Sequence, residues 1–197
     1  MPLILVPCKS LALGKSRLSG LLSPEERAAL CRQFLADTLR TAIEVVGAAS
    51  VKLISTDAEA QEMARGFGIE IYAEAWPDLN AALSGVRRNI LASRVPRDIM
   101  VLPIDLPLAT ADSLRKVLAA AGDIVLVPDR KNGGTNVLLL RAAALDGFRF
   151  AYGDDSFRIH SENAAAQQER VTVLRDEKLA FDIDEPEDYL LWKSAQR

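Results

Sequence analysis

Three aspartates stand where a hard cation could be held. Asp105 follows the apolar run Ile99 to Ile104, and Asp182 and Asp184 alternate in the late stretch Phe181-Asp182-Ile183-Asp184. In an extended segment, residues two apart project to one face. Two carboxylates placed that way repel unless a cation lies between them. Magnesium prefers oxygen ligands and takes one or two protein carboxylates, completing its shell with water and substrate phosphates. Asp105, Asp182 and Asp184 are therefore the candidate metal residues, with Mg2+ as the expected cofactor. Blander roles fit the same residues. Asp105 could cap the turn before Pro107. Asp184 could cap a helix opening near Glu185 and Pro186, with Glu187 three residues on. Glu185, Glu187 and Asp188 read as acids facing a helix dipole.

Phosphate chemistry also needs cations and donors. The loop from Pro7 to Leu18 carries Lys9, Lys15 and Arg17 around a single glycine, Gly14. Gly14-Lys15-Ser16 resembles the end of a P-loop, but the position five residues before Gly14 is Lys9, so the Walker pattern fails. Without ligand such a loop is also an ordinary solvated one. In Asp129-Arg130-Lys131-Asn132-Gly133-Gly134-Thr135-Asn136, the paired glycines could bring backbone N–H groups to an anion, with Thr135 and Asn136 adding hydrogen bonds. Gly133-Gly134 is equally a turn between two strands. Gly153 and Ser156 precede a helix whose N-terminus favours an anion, although Asp154 and Asp155 oppose an unassisted phosphate. Asn80 could read a base edge or serve as a helix N-cap. His160, the one histidine, sits in a helical stretch with no Ser or Cys partner, which points to a structural or surface role. Cys8 reads as a small buried residue at a strand end. Ser/His/Asp and Cys/His catalysis have no support.

The elements that must carry these groups alternate along the chain. Apolar runs at Leu3 to Val6, Val51 to Ile54, Ile69 to Tyr72, Ile99 to Ile104, Ile124 to Val127 and Val137 to Leu140 predict strands. Between them lie helical patterns, the clearest opening at Ser23 with Pro24 and a capping box to Glu26, and running to about Val46. Further helices are expected over Ala58 to Arg65, Asn80 to Ala92, Ala111 to Ala121, Ser156 to Gln167 and Glu185 to Ser194. Strand then helix, repeated, predicts a mostly parallel sheet covered on both faces, an α/β fold forming a three-layer α/β/α sandwich. One domain over residues 1–197 is expected. In such sheets ligands bind at the carboxyl ends of strands, near where strand order reverses, which points to Pro7 to Leu22, Asp105 to Leu108, Pro128 to Asn136 and Phe181 to Glu187.

Composition narrows the partners. With 197 residues, 49% hydrophobic and 26% charged, the chain can bury a sizeable core. A net charge of -3 gives no global positive field for nucleic acid or an anionic membrane. Two cysteines without zinc or disulfide spacing, and no apolar run long enough for a signal core or a span, point to a reducing, cytoplasmic setting.

The ordered set of segments resembles the 2-phospho-L-lactate guanylyltransferase family of coenzyme F-420 biosynthesis, with its phosphoenolpyruvate and 3-phosphoglycerate variants. The carriers are Val6-Pro7-Cys8-Lys9 with Gly14-Lys15-Ser16-Arg17, the Ser23-Pro24-Glu25-Glu26 helix start, and Leu79-Asn80-Ala81-Ala82-Leu83. They continue through Asp105-Leu106-Pro107-Leu108, Pro128-Asp129-Arg130 with Gly134-Thr135-Asn136, Gly153 with Ser156-Phe157 and His160, and Asp182-Ile183-Asp184 with Pro186-Glu187-Asp188. The resemblance implies a nucleotide-diphospho-sugar-transferase-like fold and transfer of GMP from GTP to a phosphorylated three-carbon acid. It implies that Asp105, Asp182 and Asp184 hold magnesium, that Thr135, Gly153 and Ser156 bind the acid, and that Lys9, Lys15 and Arg17 meet the GTP phosphates. Asp154 and Asp155 depart from the small residues usual there. The resemblance leaves room for a homodimer and for hand-off of the product to the next enzyme. Two alternatives are a molybdopterin or sugar-phosphate nucleotidyltransferase, which would show a Gly-rich Leu-x-x-Gly-Gly loop that Pro7 to Arg17 lacks, and a catalytically idle nucleotide-binding module.

Overall fold

In the computed structural model, which describes residues 1–93, 95 and 97–196, one seven-stranded sheet positions the site. Its strands are β1 (Leu3–Pro7), β2 (Val51–Ile54), β3 (Glu70–Tyr72), β4 (Ile99–Val101), β5 (Ile124–Pro128), β6 (Thr135–Leu140) and β7 (Val171–Val173). The spatial order is β3-β2-β1-β4-β6-β5-β7. Every pairing is parallel except those of β6, which runs antiparallel to both β4 and β5. The helices are α1 (Pro24–Val46), α2 (Ala58–Gly66), α3 (Leu79–Leu91), α4 (Ala111–Ala119), α5 (Ser156–Ala166) and α6 (Pro186–Ser194). Among the described residues no helix is long and apolar enough to cross a membrane.

Period two within the strands builds the layers. Ile4 and Val6 face one core with Leu35, Leu39, Ala60 and Leu114 of α1, α2 and α4. Leu3 and Leu5 face the opposite core with Leu83, Val86 and Ala164 of α3 and α5. Central strands buried on both faces need no polar alternation, which is why they read as continuous apolar runs. This is the α/β/α sandwich expected. A third cluster joins Leu18, Phe34, Phe181, Ile183 and Trp192; it fastens α6 and the segment before it onto α1.

Several boundaries differ from the expected ones, each for a local reason. β4 ends at Val101, not Ile104: Leu102 donates its N–H to Leu5 O at 2.9 Å, and Pro103 has no N–H to continue the ladder. Asp105 therefore sits on the loop beyond the strand. The Gly133-Gly134 segment is the hairpin turn between β5 and β6. α3 opens at Leu79, capped by Asp78, whose carboxylate accepts from Ala81 N at 2.8 Å, so Asn80 is not the cap. α6 opens at Pro186, with Glu185 at the cap position; Asp188 accepts from Glu185 N at 2.9 Å and from Asp184 N at 3.1 Å. Asp184 is thereby released from capping. β7, three residues long and between Arg170 and Arg175, carries too short a pattern to be read as a strand.

Candidate active site

The carboxyl ends of β1 and β4, beside the point where strand order reverses, open onto a cleft of about 660 Å³. Arg17, Asp105, Thr135, Asn136, Gly153, Ser156, Asp182 and Asp184 all line it. A smaller cleft of about 270 Å³ adjoins it, sharing Pro7 and Leu79, and is lined by Lys9, Ser55, Thr56, Glu74, Trp76 and Asp78. Lys9 is thus separated from Lys15 and Arg17; the structure does not gather the three cations into one patch.

Lys15 is the centre of the acidic group. Its Nζ donates to Asp105 Oδ2 at 2.7 Å and to Asp184 Oδ1 at 3.0 Å. Burial alone would lower the Lys15 pKa, but Asp105 and Asp184 outweigh it and the value is raised. The residue stays charged. It lies in the left-handed region at φ 52, which costs a non-glycine residue about 1–2 kcal/mol, and the two ion pairs help hold it there. Gly14 beside it is a packing glycine: a Cβ there would lie 2.5 Å from Cys31 Sγ on α1. Arg17 pairs with Glu185 at 3.2 Å and reaches Asp184 at 3.8 Å. Asp57, not singled out by the sequence reading, caps α2 and accepts from Leu11 N at 3.0 Å, anchoring the start of this loop.

Asp182 and Asp184 share the cleft as their alternation predicts, with Ile183 buried between them. Asp182 makes no ion pair among the described residues. Burial first, then the charges of Asp184 and Asp105, raise its carboxyl to about 6. Ile183 donates its N–H to Asp105 O at 3.1 Å, so the loop after β4 and the late segment are tied together. Among the described residues no three His, Cys, Asp or Glu side chains converge as around a bound metal; Lys15 stands between two of them instead. The donor chemistry nevertheless fits a magnesium ion. Asp105 and Asp184 keep 26% and 48% of their side-chain surface open to solvent, leaving room for the water and phosphate ligands that ion retains.

On the other wall, the hairpin and the start of α5 meet. Asp129 accepts from Gly133 N at 2.9 Å and Gly134 N at 2.8 Å, so the glycine N–H groups expected to meet an anion are already occupied by a side chain. Arg130 stacks over the Phe181 ring at 4.3 Å and pairs with Asp188, joining the hairpin to the acidic segment. Thr135 donates its N–H to Ser156 Oγ at 2.9 Å, and its Oγ1 lies 2.9 Å from His160 Nδ1. Asn136 Nδ2 donates to Leu179 O at 2.9 Å. Asn80, read as either a base-edge contact or a helix N-cap, instead uses its amide on Tyr152, donating to Tyr152 O at 3.0 Å and accepting from Tyr152 N at 2.7 Å. It holds the loop before Gly153. His160 is fully buried, and burial lowers its pKa to about 4. Cys8 is buried too, its thiol pushed up to about 12 by burial and then by Asp57 and Cys31; it is no nucleophile.

Comparison with known proteins identifies the family and the fold. Residues 2–192 match the family described as guanylyl transferase CofC like. A phosphoenolpyruvate guanylyltransferase from Chloroflexus aggregans is 32% identical over 98% of both chains. A 2-phospho-L-lactate guanylyltransferase from Halomicrobium mukohataei is 36% identical over 88% of this chain and 77% of its own. Among solved structures, a protein from Desulfovibrio desulfuricans provisionally named a nucleotide-diphospho-sugar transferase superposes with a TM-score of 0.78 at 19% identity, covering 100% of this chain and 89% of its own. At that identity the likeness speaks for the fold alone. With a family match spanning almost its full length, the chain belongs to the CofC-like guanylyl transferase family.

Proposed function

We propose that the protein is a magnesium-dependent guanylyltransferase that transfers GMP from GTP to phosphoenolpyruvate, 2-phospholactate or 3-phosphoglycerate, releasing pyrophosphate, in coenzyme F-420 biosynthesis. The observation that carries the reading is the single cleft in which Arg17 and the Lys15-bridged acids face the Thr135, Gly153 and Ser156 wall. One wall suits a triphosphate and its cation, the other a small oxyanion.

In this reading a phosphate oxygen of the acid attacks the α-phosphorus of GTP. A new P–O bond forms, the bond to the bridging oxygen breaks, and pyrophosphate departs in line. The attacking oxygen is already ionised near neutrality, so no general base is needed, and the cleft offers no histidine for one. Magnesium, held by Asp105, Asp182 and Asp184, would neutralise triphosphate charge. Lys15 and Arg17 align the phosphates and stabilise charge developing on the leaving group. Lys9 meets the nucleotide from the adjoining cleft, and Asn80 and Asn136 brace the walls. The purified protein is incubated with GTP, magnesium and each acid in turn, with pyrophosphate followed and the product weighed by mass spectrometry. A product carrying one GMP on one of the acids is expected; silence with all three removes the proposal, and GTP binding unaffected by magnesium without turnover would mark an idle nucleotide-binding module.

A further inference from the structure

His160 belongs to no step of the reaction just described, yet it is fully buried directly behind Thr135. Its tautomer can be read from its neighbours. The backbone N–H of Ala151 donates to His160 Nε2 at 2.9 Å, so Nε2 carries a lone pair and no proton. A neutral ring then carries its proton on Nδ1. That proton points at Thr135 Oγ1, 2.9 Å away, and the threonine oxygen accepts it.

This frees the threonine's own proton. A hydroxyl whose oxygen already accepts from a buried donor has its hydrogen left to donate, and Thr135 lines the cleft. Ser156 is in the same condition: its Oγ accepts the Thr135 N–H at 2.9 Å, and it too lines the cleft. From this geometry we infer that His160 is a positioning residue which, through Ala151 and Thr135, turns the acceptor wall into a cradle of outward O–H donors selective for an ionised oxyanion of the acceptor acid. The inference rests on the proposed function for the identity of that acid, but its hydrogen-bond chain stands independently.

The chain can be tested at two levels. Because the protein contains one histidine, long-range proton–nitrogen NMR of the uniformly labelled full chain reports a single imidazole. The Nδ1–H tautomer is expected near neutral pH, and an Nε2–H tautomer overturns the inference whether or not the enzyme turns over any of the three acids. The second level separates positioning from packing. In His160→Asn the amide nitrogen can occupy the Nδ1 place and still donate to Thr135; in His160→Gln the amide reaches the Nε2 place and serves Ala151 only. His160→Gln and Thr135→Val should each raise the KM for the phosphorylated acid about tenfold, with the KM for GTP unchanged, as loss of one oriented hydrogen bond to a charged group predicts. His160→Asn, which keeps a donor toward Thr135, should recover most of the affinity for the acid that His160→Gln loses. The double variant His160→Gln/Thr135→Val should be no worse than Thr135→Val alone. Equal damage from Asn and Gln at residue 160, or equal effects on both KM values, would leave His160 only a packing role and refute the inference. A wild type silent with all three acids would instead sink the proposed function while the tautomer still decided this one.

Discussion

Replacing one acid of the site should stabilise the ligand-free protein while destroying its activity. The Asp182 carboxyl is raised from 3.8 to about 6, by burial first and then by Asp184 and Asp105, and Lys15 compensates only the other two acids. A carboxyl that holds its proton more tightly in the folded chain favours folding at low pH and loses that advantage as pH rises between the unfolded and folded values. Carrying the value from 3.8 to about 6 is equivalent to about 3 kcal/mol. Asp182 keeps some contact with water in the cleft, which screens part of that cost. Asp182→Asn is therefore expected to gain about 1–2 kcal/mol at pH 8, about 2–8 °C in Tm for a chain of this size. The gain should shrink by roughly half at pH 5, where the folded carboxyl is mostly protonated. Thermal unfolding followed by circular dichroism in EDTA, at both pH values, measures this directly. A variant melting at or below wild type at pH 8, or one whose advantage is the same at pH 5, refutes the reasoning. With magnesium and GTP added the order should reverse, since only wild type gains binding free energy.

Other perturbations probe the remaining links. Lys15→Met leaves Asp105 and Asp184 facing one another without their ammonium; turnover should fall at least about a hundredfold, and Lys15→Arg should not restore it because the planar fork cannot take the place of a compact point charge. Initial rates with saturating GTP would show either result. Ser23→Ala removes the side-chain acceptor of Glu26 N at 3.2 Å and should cost about 1 kcal/mol, visible as a small drop in Tm with kcat unchanged. In Gly85→Ala the new Cβ would lie 2.2 Å from the Trp76 ring; displacing the indole should cost about 1–3 kcal/mol and raise the KM for GTP, since Trp76 lines the cleft beside Lys9. An unchanged KM for GTP there would detach that cleft from nucleotide binding.

What could be read from the sequence was whatever a short window determines. The strand runs, the Ser23 capping box and the shared face of Asp182 and Asp184 follow from local periodicity and capping, and they stand in the structure. Contacts across the fold could not be read that way. Nothing near Gly133 announces that the Asp129 carboxylate, rather than a ligand, takes its N–H. Nothing near Asn80 reveals Tyr152 as its partner, 72 residues away. Lys9 and Lys15 are close in sequence, but the turn Ser16–Gly20 and the packing of Gly14 on α1 send Lys15 inward while Lys9 stays at the mouth of the adjoining cleft.

Those long-range ties also explain how a site built from loops stays in place. Asp105 lies beyond the end of its strand, on backbone that no ladder holds, and Asp182 and Asp184 lie in a segment outside the sheet. Each is fixed by a neighbour instead: Ile183 N–H on Asp105 O, Asp188 on the N–H of Asp184, Arg130 stacked on Phe181, and Ile183 and Phe181 sunk into the core with Trp192. The acids are therefore tied to α6 and the hairpin. Lys15 spans that unit at Asp105 and Asp184, so its ammonium offsets the repulsion between the two carboxylates and draws them together. The acids thus keep their places through ties to one another and to the core beside α6 rather than through the sheet.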